Sequence, residues 1–410
     1  MTETENKTIT EVSVDVVIIG GGIAGLWSLA RLRQAGYNAV LLEAEALGAG
    51  QTRYAQGIIH GGTKYALTGK LTASSEAVAD MPSRWRACYE GKGELDLSQA
   101  ELLSDAHYLW STTSLTSRIS GFFASKVMRS RSTELDKKSL PPVFQHKDFR
   151  GQFYRLDEPV FNTLSVIRAI AEPLKKNILM INAETLEPGE AMVRVEDRQG
   201  NVYAFHYSRV ILMAGQGNEK LLERFGCHEP VMQRRPLKMV VMKKIPGNTT
   251  SKLDMIYAHC LGASVNPRIT ITSHRDSEDN VVWYMGGQLA EDGVNKTDAA
   301  LIETAKKELN ELIPWLDSST AQWGVLAIDR AEIKKPGATR PDSFSIETSG
   351  RVVTAWPTKL ALSPALADAL LDVIEKETLK PGSDHSLPAW MPPAYADFPW
   401  NDAAIWRNHD

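Results

Sequence analysis

An α/β fold, a Rossmann-type nucleotide-binding domain with an inserted antiparallel β-sheet domain, is predicted by three features. Residues 14–43 run in the order strand, glycine turn, helix, strand; strand-like segments crowd the chain from Val231; and a capped helix returns at Ser363. At 410 residues and 43% hydrophobic content, the chain can bury the cores of two or three domain-sized units, or of one domain interrupted by another. A formal net charge of -4 leaves no basic field to hold nucleic acid or an anionic membrane surface, so a small-molecule substrate is expected. Cys88, Cys227 and Cys260 are scattered without metal-ligand spacing, which argues against a disulfide framework and predicts no metal site. A reducing cytoplasm suits that usage. The polar N-terminus lacks a secretory pattern, and no run approaches the roughly 20 apolar residues of an integral membrane span.

The elements follow in order. Residues 14–19 read as a buried strand, and Gly20, Gly22 and Gly25 supply G-x-G-x-x-G before a helix ending near Gly36. The first glycine permits the tight turn, the second lets backbone approach a pyrophosphate, and the third packs helix on strand. A second strand over residues 39–42 ends at Glu43, placed to accept hydrogen bonds from an adenosine ribose, which disfavours NADP. A glycine turn without a nucleotide is the plain alternative, and the ordered context opposes it. Residues 71–90 carry helical spacing, and "EGKGELD" breaks the chain before a strand over 101–109. Residues 118–147 are basic and irregular, a solvated excursion or a lid. Asn162 or Thr163 caps a helix that leads into a strand near Ile181. "VMQRRPLKMVVMKK", "RITITSH" and "VVWYMGGQLA" are β-rich, and a helix spans 298–312. Ser363-Pro364 opens a helix running through Leu371. The final stretch, rich in Pro and Trp, reads as an extended segment packing its aromatics on its own domain, or as a partner-binding arm.

Four later segments resemble the FAD-dependent oxidoreductases of the D-amino-acid oxidase superfamily, which includes glycine oxidase and glycerol-3-phosphate dehydrogenase. "GAGQTRYAQGIIHGG" is similar to the stretch these enzymes lay along the pyrophosphate and flavin, and "RVILMAGQGN" to the strand and turn that return to the dinucleotide. "RPDS" falls where the family has Arg-Pro near its substrate, and "WPTKLALSPALADALL" resembles the segment and helix beneath the flavin pyrimidine. Gln216 stands where an alanine is usual, and Pro357-Thr358 where glycines are. The resemblance implies FAD, held noncovalently, with Gln51, Thr52, Gln56, Gly57, His60, Gly61, Gly62, Gly215, Thr358, Lys359 and Leu360 joining the first glycines and Glu43 around it. A covalent link through His60 is the alternative. It also implies a discontinuous FAD-binding domain over 13–95, 151–230 and 322–385, a substrate domain over 96–150 and 231–321, and a tail over 386–410. No second G-x-G-x-x-G follows a strand, so electrons should pass to oxygen, a quinone or a carrier protein. A cytoplasmic protein is expected, and a quinone acceptor would add peripheral contact with a membrane.

Removing hydride from a carbon requires an oriented donor and stabilised charge on the cofactor. Arg340 can anchor a carboxylate or phosphate through two parallel hydrogen bonds, as the resemblance implies; a surface arginine is the alternative. Lys359 and the N-terminus of the helix at Ser363 could offset developing negative charge. A hydroxyl donor must also lose a proton, which calls for a base such as His60 or His274. An amine can react in its neutral form. Arg330, Tyr257 and Tyr284 are weaker candidates, being as readily explained by strand ends and core packing. The sequence tilts toward a small amino acid or secondary amine as donor, because no arginine cluster for a phosphate is visible. A 2-hydroxy acid or a glycerol-3-phosphate-like alcohol is the second reading. A flavoprotein acting on tRNA or another macromolecule, or binding flavin without catalysis, is the third.

Overall fold

The computed structural model describes residues 8–62, 76–112, 132–244, 253–262, 266–376 and 386–407. At its centre is a six-stranded sheet ordered Ser345–Ser349, Val352–Trp356, Arg209–Leu212, Val16–Ile19, Ala39–Glu43, Ile178–Met180. Every neighbouring pair is parallel except the first. All four residues of Val16–Ile19 are buried, as a parallel strand covered on both faces requires. Helices Ile23–Gln34, Thr163–Ala171 and Ser363–Lys376 pack on one face. A four-stranded sheet of Ile9–Ser13, Val202–His206, Met192–Glu196 and Glu187–Pro188 covers the other.

The second large sheet has eight strands, ordered Ala321–Ile333, Met232–Lys244, Val281–Gly286, Ile269–Arg275, Tyr257–Cys260, His107–Trp110, Phe153–Leu156, Ser132–Glu134. It is antiparallel apart from the Tyr257–Cys260 and His107–Trp110 pair. One face, carrying Ile271, Trp283 and Met285, packs on helix Asp298–Leu312. Because side chains alternate along strands, the opposite face presents His107, Tyr257, His259, Thr270, Thr272 and Tyr284. That face looks onto the segment 51–62.

Most expected elements form where the sequence puts them, including the Asn162 cap, whose Oδ1 accepts from the Leu164 and Ser165 amides. Phe153–Leu156 and Ala321–Ile333, which lie within or overlap the segments expected in the FAD-binding domain, pair within the eight-stranded sheet. The strand expected over 101–109 divides at Asp105-Ala106, its first part, Leu102–Ser104, pairing instead with Val160–Phe161. Of the helix expected over 71–90, Met81–Tyr89 forms, and residues 71–75 lie outside the described residues. Residues 118–131 of the basic stretch lie outside them too; the remainder buries Phe144 against Trp110, Phe149 and Phe153. The tail touches the four-stranded and the eight-stranded sheets. Trp390 packs on Tyr203 and Phe205, Tyr395 bridges to Leu47, and Trp400 is fully buried beside Tyr284 and Phe398. Among the described residues no helix is long and apolar enough to cross a membrane.

Candidate active site

The first glycine cluster is shaped by missing β-carbons. Gly20 has φ +120°, and a Cβ there would lie 2.6 Å from the Met213 carbonyl; a Cβ on Gly25 would lie 2.0 Å from Gly20 O. Gly22 caps helix Ile23–Gln34 without a side chain, and Thr52 Oγ1 accepts from the Ile23 amide at 3.2 Å. The helix N-terminus thus stands at the carboxyl end of the parallel strands, where backbone N–H groups and the helix dipole suit a pyrophosphate. Glu43 ends the neighbouring strand, its Oε2 accepting from Gly21 N at 2.5 Å and its Oε1 from Ala44 N and Glu45 N at 2.9 and 2.7 Å. Burial raises its pKa above the ordinary value, against the pull of those three amides. On the other side, Gln51 Oε1 accepts from Ala331 N at 3.0 Å and sits 3.5 Å from where a Cβ on Gly215 would be. Trp356 Nε1 donates to Gly215 O at 3.1 Å, so the closing strand meets the same turn. These residues fit a dinucleotide: the close backbone approaches leave no room for side chains at the positions a pyrophosphate needs.

From Gln51 the segment crosses the face of the eight-stranded sheet. Tyr284 OH donates to Tyr54 O at 2.9 Å. Gln56 Nε2 donates to Thr272 Oγ1 and Tyr284 O at 3.3 and 3.2 Å, while Thr270 Oγ1 donates to Gln56 Oε1 at 3.2 Å. Gly57, at φ +77°, lies so close to Phe161 O that a Cβ would meet it at 2.0 Å. Ile58 bridges to Val160 and packs against Tyr257.

At the far end, His60, Gly61 and Gly62 reach a buried carboxylate. Glu158 Oε1 accepts from Gly61 N at 2.8 Å, Oε2 faces His60 Nδ1 at 3.0 Å, and His107 Nδ1 lies 3.4 Å from that same oxygen. The His107 and His259 rings meet edge to face with centroids 4.1 Å apart, and each lies within 5.7 Å of the His60 ring. Burial would raise the Glu158 carboxyl, yet hydrogen bonds and charge from His107 and His60 hold it well below the usual carboxylate range. An ionised carboxylate only accepts, so Nδ1 of His60 carries a hydrogen toward it. His60 is 22% exposed in its side chain against 4% for Glu158, which makes its imidazole the reachable part of the cluster. Against Ile58, Tyr257 is buried and its hydroxyl has no hydrogen-bond partner among the described residues, a deficit of about 1–3 kcal/mol unless a ligand fills it.

The other expected residues gather elsewhere. Thr358 Oγ1 donates to Ser343 O at 3.1 Å and Lys359 Nζ to Asp342 O at 3.2 Å, tying the segment before Leu360 to "RPDS". Arg340 is exposed. Arg330 donates to Arg235 O and Pro236 O at 3.3 and 3.4 Å and reaches only to 3.9 Å from Glu291. Burial, then the charges of Arg235 and Arg340, push its pKa down to about 10. The fold therefore gathers arginines from three separated positions, which the linear sequence hid. His274 corrects an expectation. Instead of opening onto the segment, it is enclosed by Trp400 and Phe398, with centroids at 4.6 and 5.8 Å, and burial lowers its pKa to about 3. The ring is kept neutral under the tail, with its Nε2 3.3 Å from Thr272 Oγ1. His107, Glu158 and His259 were not singled out from sequence; their signal is a histidine on an apolar strand in "AHYLW" and "YAHC", and an acid before proline in "LDEPVF".

A family model described as FAD dependent oxidoreductase matches residues 15–347. A probable FAD-dependent oxidoreductase of Pseudomonas aeruginosa, PA4991, is 46% identical over 397 residues, covering 95% of this chain and 98% of the relative. The crystal structure of PA4991 superposes with a TM-score of 0.82 over 96% of this chain and 99% of its own. Glycine oxidase from Geobacillus kaustophilus, 14% identical, shares the fold with a TM-score of 0.60 over 93% of this chain and all of its own (100%). L-alpha-glycerophosphate oxidase from Mycoplasma pneumoniae, 12% identical, does so at 0.59 over 88% and 95%. The chain belongs to the DAO family of FAD-dependent oxidoreductases.

Proposed function

We propose that this enzyme oxidises the hydroxyl-bearing carbon of a small anionic donor, a 2-hydroxy acid or a glycerol-phosphate-like alcohol. The observation that carries this reading is the His60–Glu158 pair, with Nδ1 to Oε2 at 3.0 Å. A hydroxyl donor must lose its O–H proton as hydride leaves, and an imidazole backed by an ionised carboxylate is built to take it at Nε2. The positive ring that results stays next to Glu158, so charge separation is small. The buried Tyr257 hydroxyl, on the same sheet face and packed against Ile58 of the segment, would supply a hydrogen-bond donor for the anionic group.

Gly20, Gly22, Gly25 and Glu43 would hold the adenosine and pyrophosphate half of noncovalent FAD, with Thr52, Gln51 and Gly215 closing around it. Gln56, Gly57, His60, Gly61, Gly62, Thr358, Lys359 and Leu360 would line the flavin half. Bound FAD supplies the two-electron acceptor.

An amine donor is the second reading, favoured by the exposed Arg340 beside Arg330, which suits a carboxylate anchor and needs no dedicated base. Anaerobic mixing of the holoenzyme with parallel panels of hydroxy acids, glycerol 3-phosphate and amino acids separates the two. Loss of flavin absorbance with hydroxyl donors supports the first reading; loss with amino acids alone replaces it by the second.

A further inference from the structure

Glu158 serves two imidazoles at once. Its Oε1 accepts from Gly61 N, and His60 Nδ1 and His107 Nδ1 both face Oε2, at 3.0 and 3.4 Å. His107 is 1% exposed, so water offers little compensation for a charge on its ring. One carboxylate can offset only one full positive charge, which makes protonation of either ring costlier when the other already holds a proton. Among the described residues, His60 on the cofactor segment and His107 on its strand face this oxygen, His259 on the neighbouring strand packs on both rings, and Tyr257 lies on that same strand against Ile58. The nearby ion pairs Arg86–Asp157 and Arg155–Asp105 place their acids outward, with Asp157 70% and Asp105 67% exposed.

We propose that His107 is a positioning residue that, by sharing Glu158 with His60, sets how strongly His60 holds a proton. The role matters for catalysis only if His60 is the base, so it rests on the reading above. The relation has a definite sign. Removing the competitor leaves Glu158 to His60 alone and strengthens His60 as a base; removing the carboxylate charge weakens it. His259 meets His107 edge to face at 4.1 Å and lies 5.6 Å from the His60 ring, so it packs on both.

The test is a histidine-labelled NMR titration of the resting holoenzyme, with the His60 signals assigned by their loss in His60→Asn. His107→Leu should raise the His60 pKa by about one pH unit, a tenfold gain in proton affinity, and Glu158→Gln should lower it by a similar amount. His107→Asn, which keeps a polar side chain facing Oε2 but cannot take a proton, should stay closer to the parent than His107→Leu. Retained FAD absorbance and an unchanged circular dichroism spectrum show which variants fold. Shifts of the same sign in His107→Leu and Glu158→Gln, or no shift in either, would overturn the proposal. The pH profile of flavin reduction, measured on the same variants, should move with the NMR values. Opposite NMR shifts with no His60-dependent reduction by any hydroxyl donor leave the coupling standing and remove the proposed function instead.

Discussion

The two ends of the segment 51–62 are built on different physical terms. At Thr52 the chain meets the glycine turn, a site made of backbone and of missing β-carbons, contributed largely by thirty consecutive residues. At His60 it meets a site made of side chains drawn from four elements, with Glu158, His107 and His259 reaching it from distant parts of the chain. Their acids differ accordingly. Glu43 sits among backbone amides and burial raises its pKa; Glu158 is more enclosed, yet two imidazoles lower its pKa. A backbone site is specified locally, whereas a side-chain site exists only once the sheets have assembled.

Breaking the backbone end should have the largest effect. Gly25→Val sets a branched side chain where even a Cβ would be 2.0 Å from Gly20 O. The turn and helix cannot both stay in place, and the purified protein should be colourless; a full complement of FAD would contradict the glycine account. Trp400→Ala probes the tail that touches the four-stranded and the eight-stranded sheets. Deleting this fully buried indole should cost about 3–5 kcal/mol of unfolding free energy in a denaturant titration. A loss under about 1 kcal/mol would show that the tail merely lies on the surface.

The acid limb sharpens the comparison through its sign. With its folded pKa depressed, Glu158 contributes stability that is complete above its ordinary value of 4.5 and is lost as pH falls below it. The difference in unfolding free energy between the parent and Glu158→Gln should therefore be greatest near neutrality and shrink on acidification. A constant difference would indicate packing rather than charge. The smallest effect expected is that of Tyr257→Phe, which removes a hydroxyl without a partner among the described residues. Resting stability should stay within about 1 kcal/mol of the parent or rise, while KM for the donor increases several-fold.

This contrast explains what was legible in the sequence. G-x-G-x-x-G and the strand-ending Glu43 encode their geometry in spacing, and the Asn162 cap and the helix Asp298–Leu312 follow from local signals. His107 and His259 are single polar residues on apolar strands, a pattern that also fits a packed core histidine. Only the parallel pairing of His107–Trp110 with Tyr257–Cys260 puts them side by side. His274 carried the same local signal and went the other way, because the tail residues Phe398 and Trp400, more than a hundred positions later, close over it. The pairing of Ala321–Ile333 with Met232–Lys244 is hidden for a related reason: its register is long-range, and composition does not reveal it.

The central claim is that His60, backed by Glu158, takes the proton of a hydroxyl donor. It is tested most directly by stopped-flow anaerobic reduction of the parent and His60→Asn, both carrying FAD, with the same hydroxyl donor across a pH series. The account predicts that His60→Asn is slower by about 100- to 10,000-fold and loses the basic-form dependence seen in the parent. Equal rates, with the same pH profile in both proteins, would contradict it.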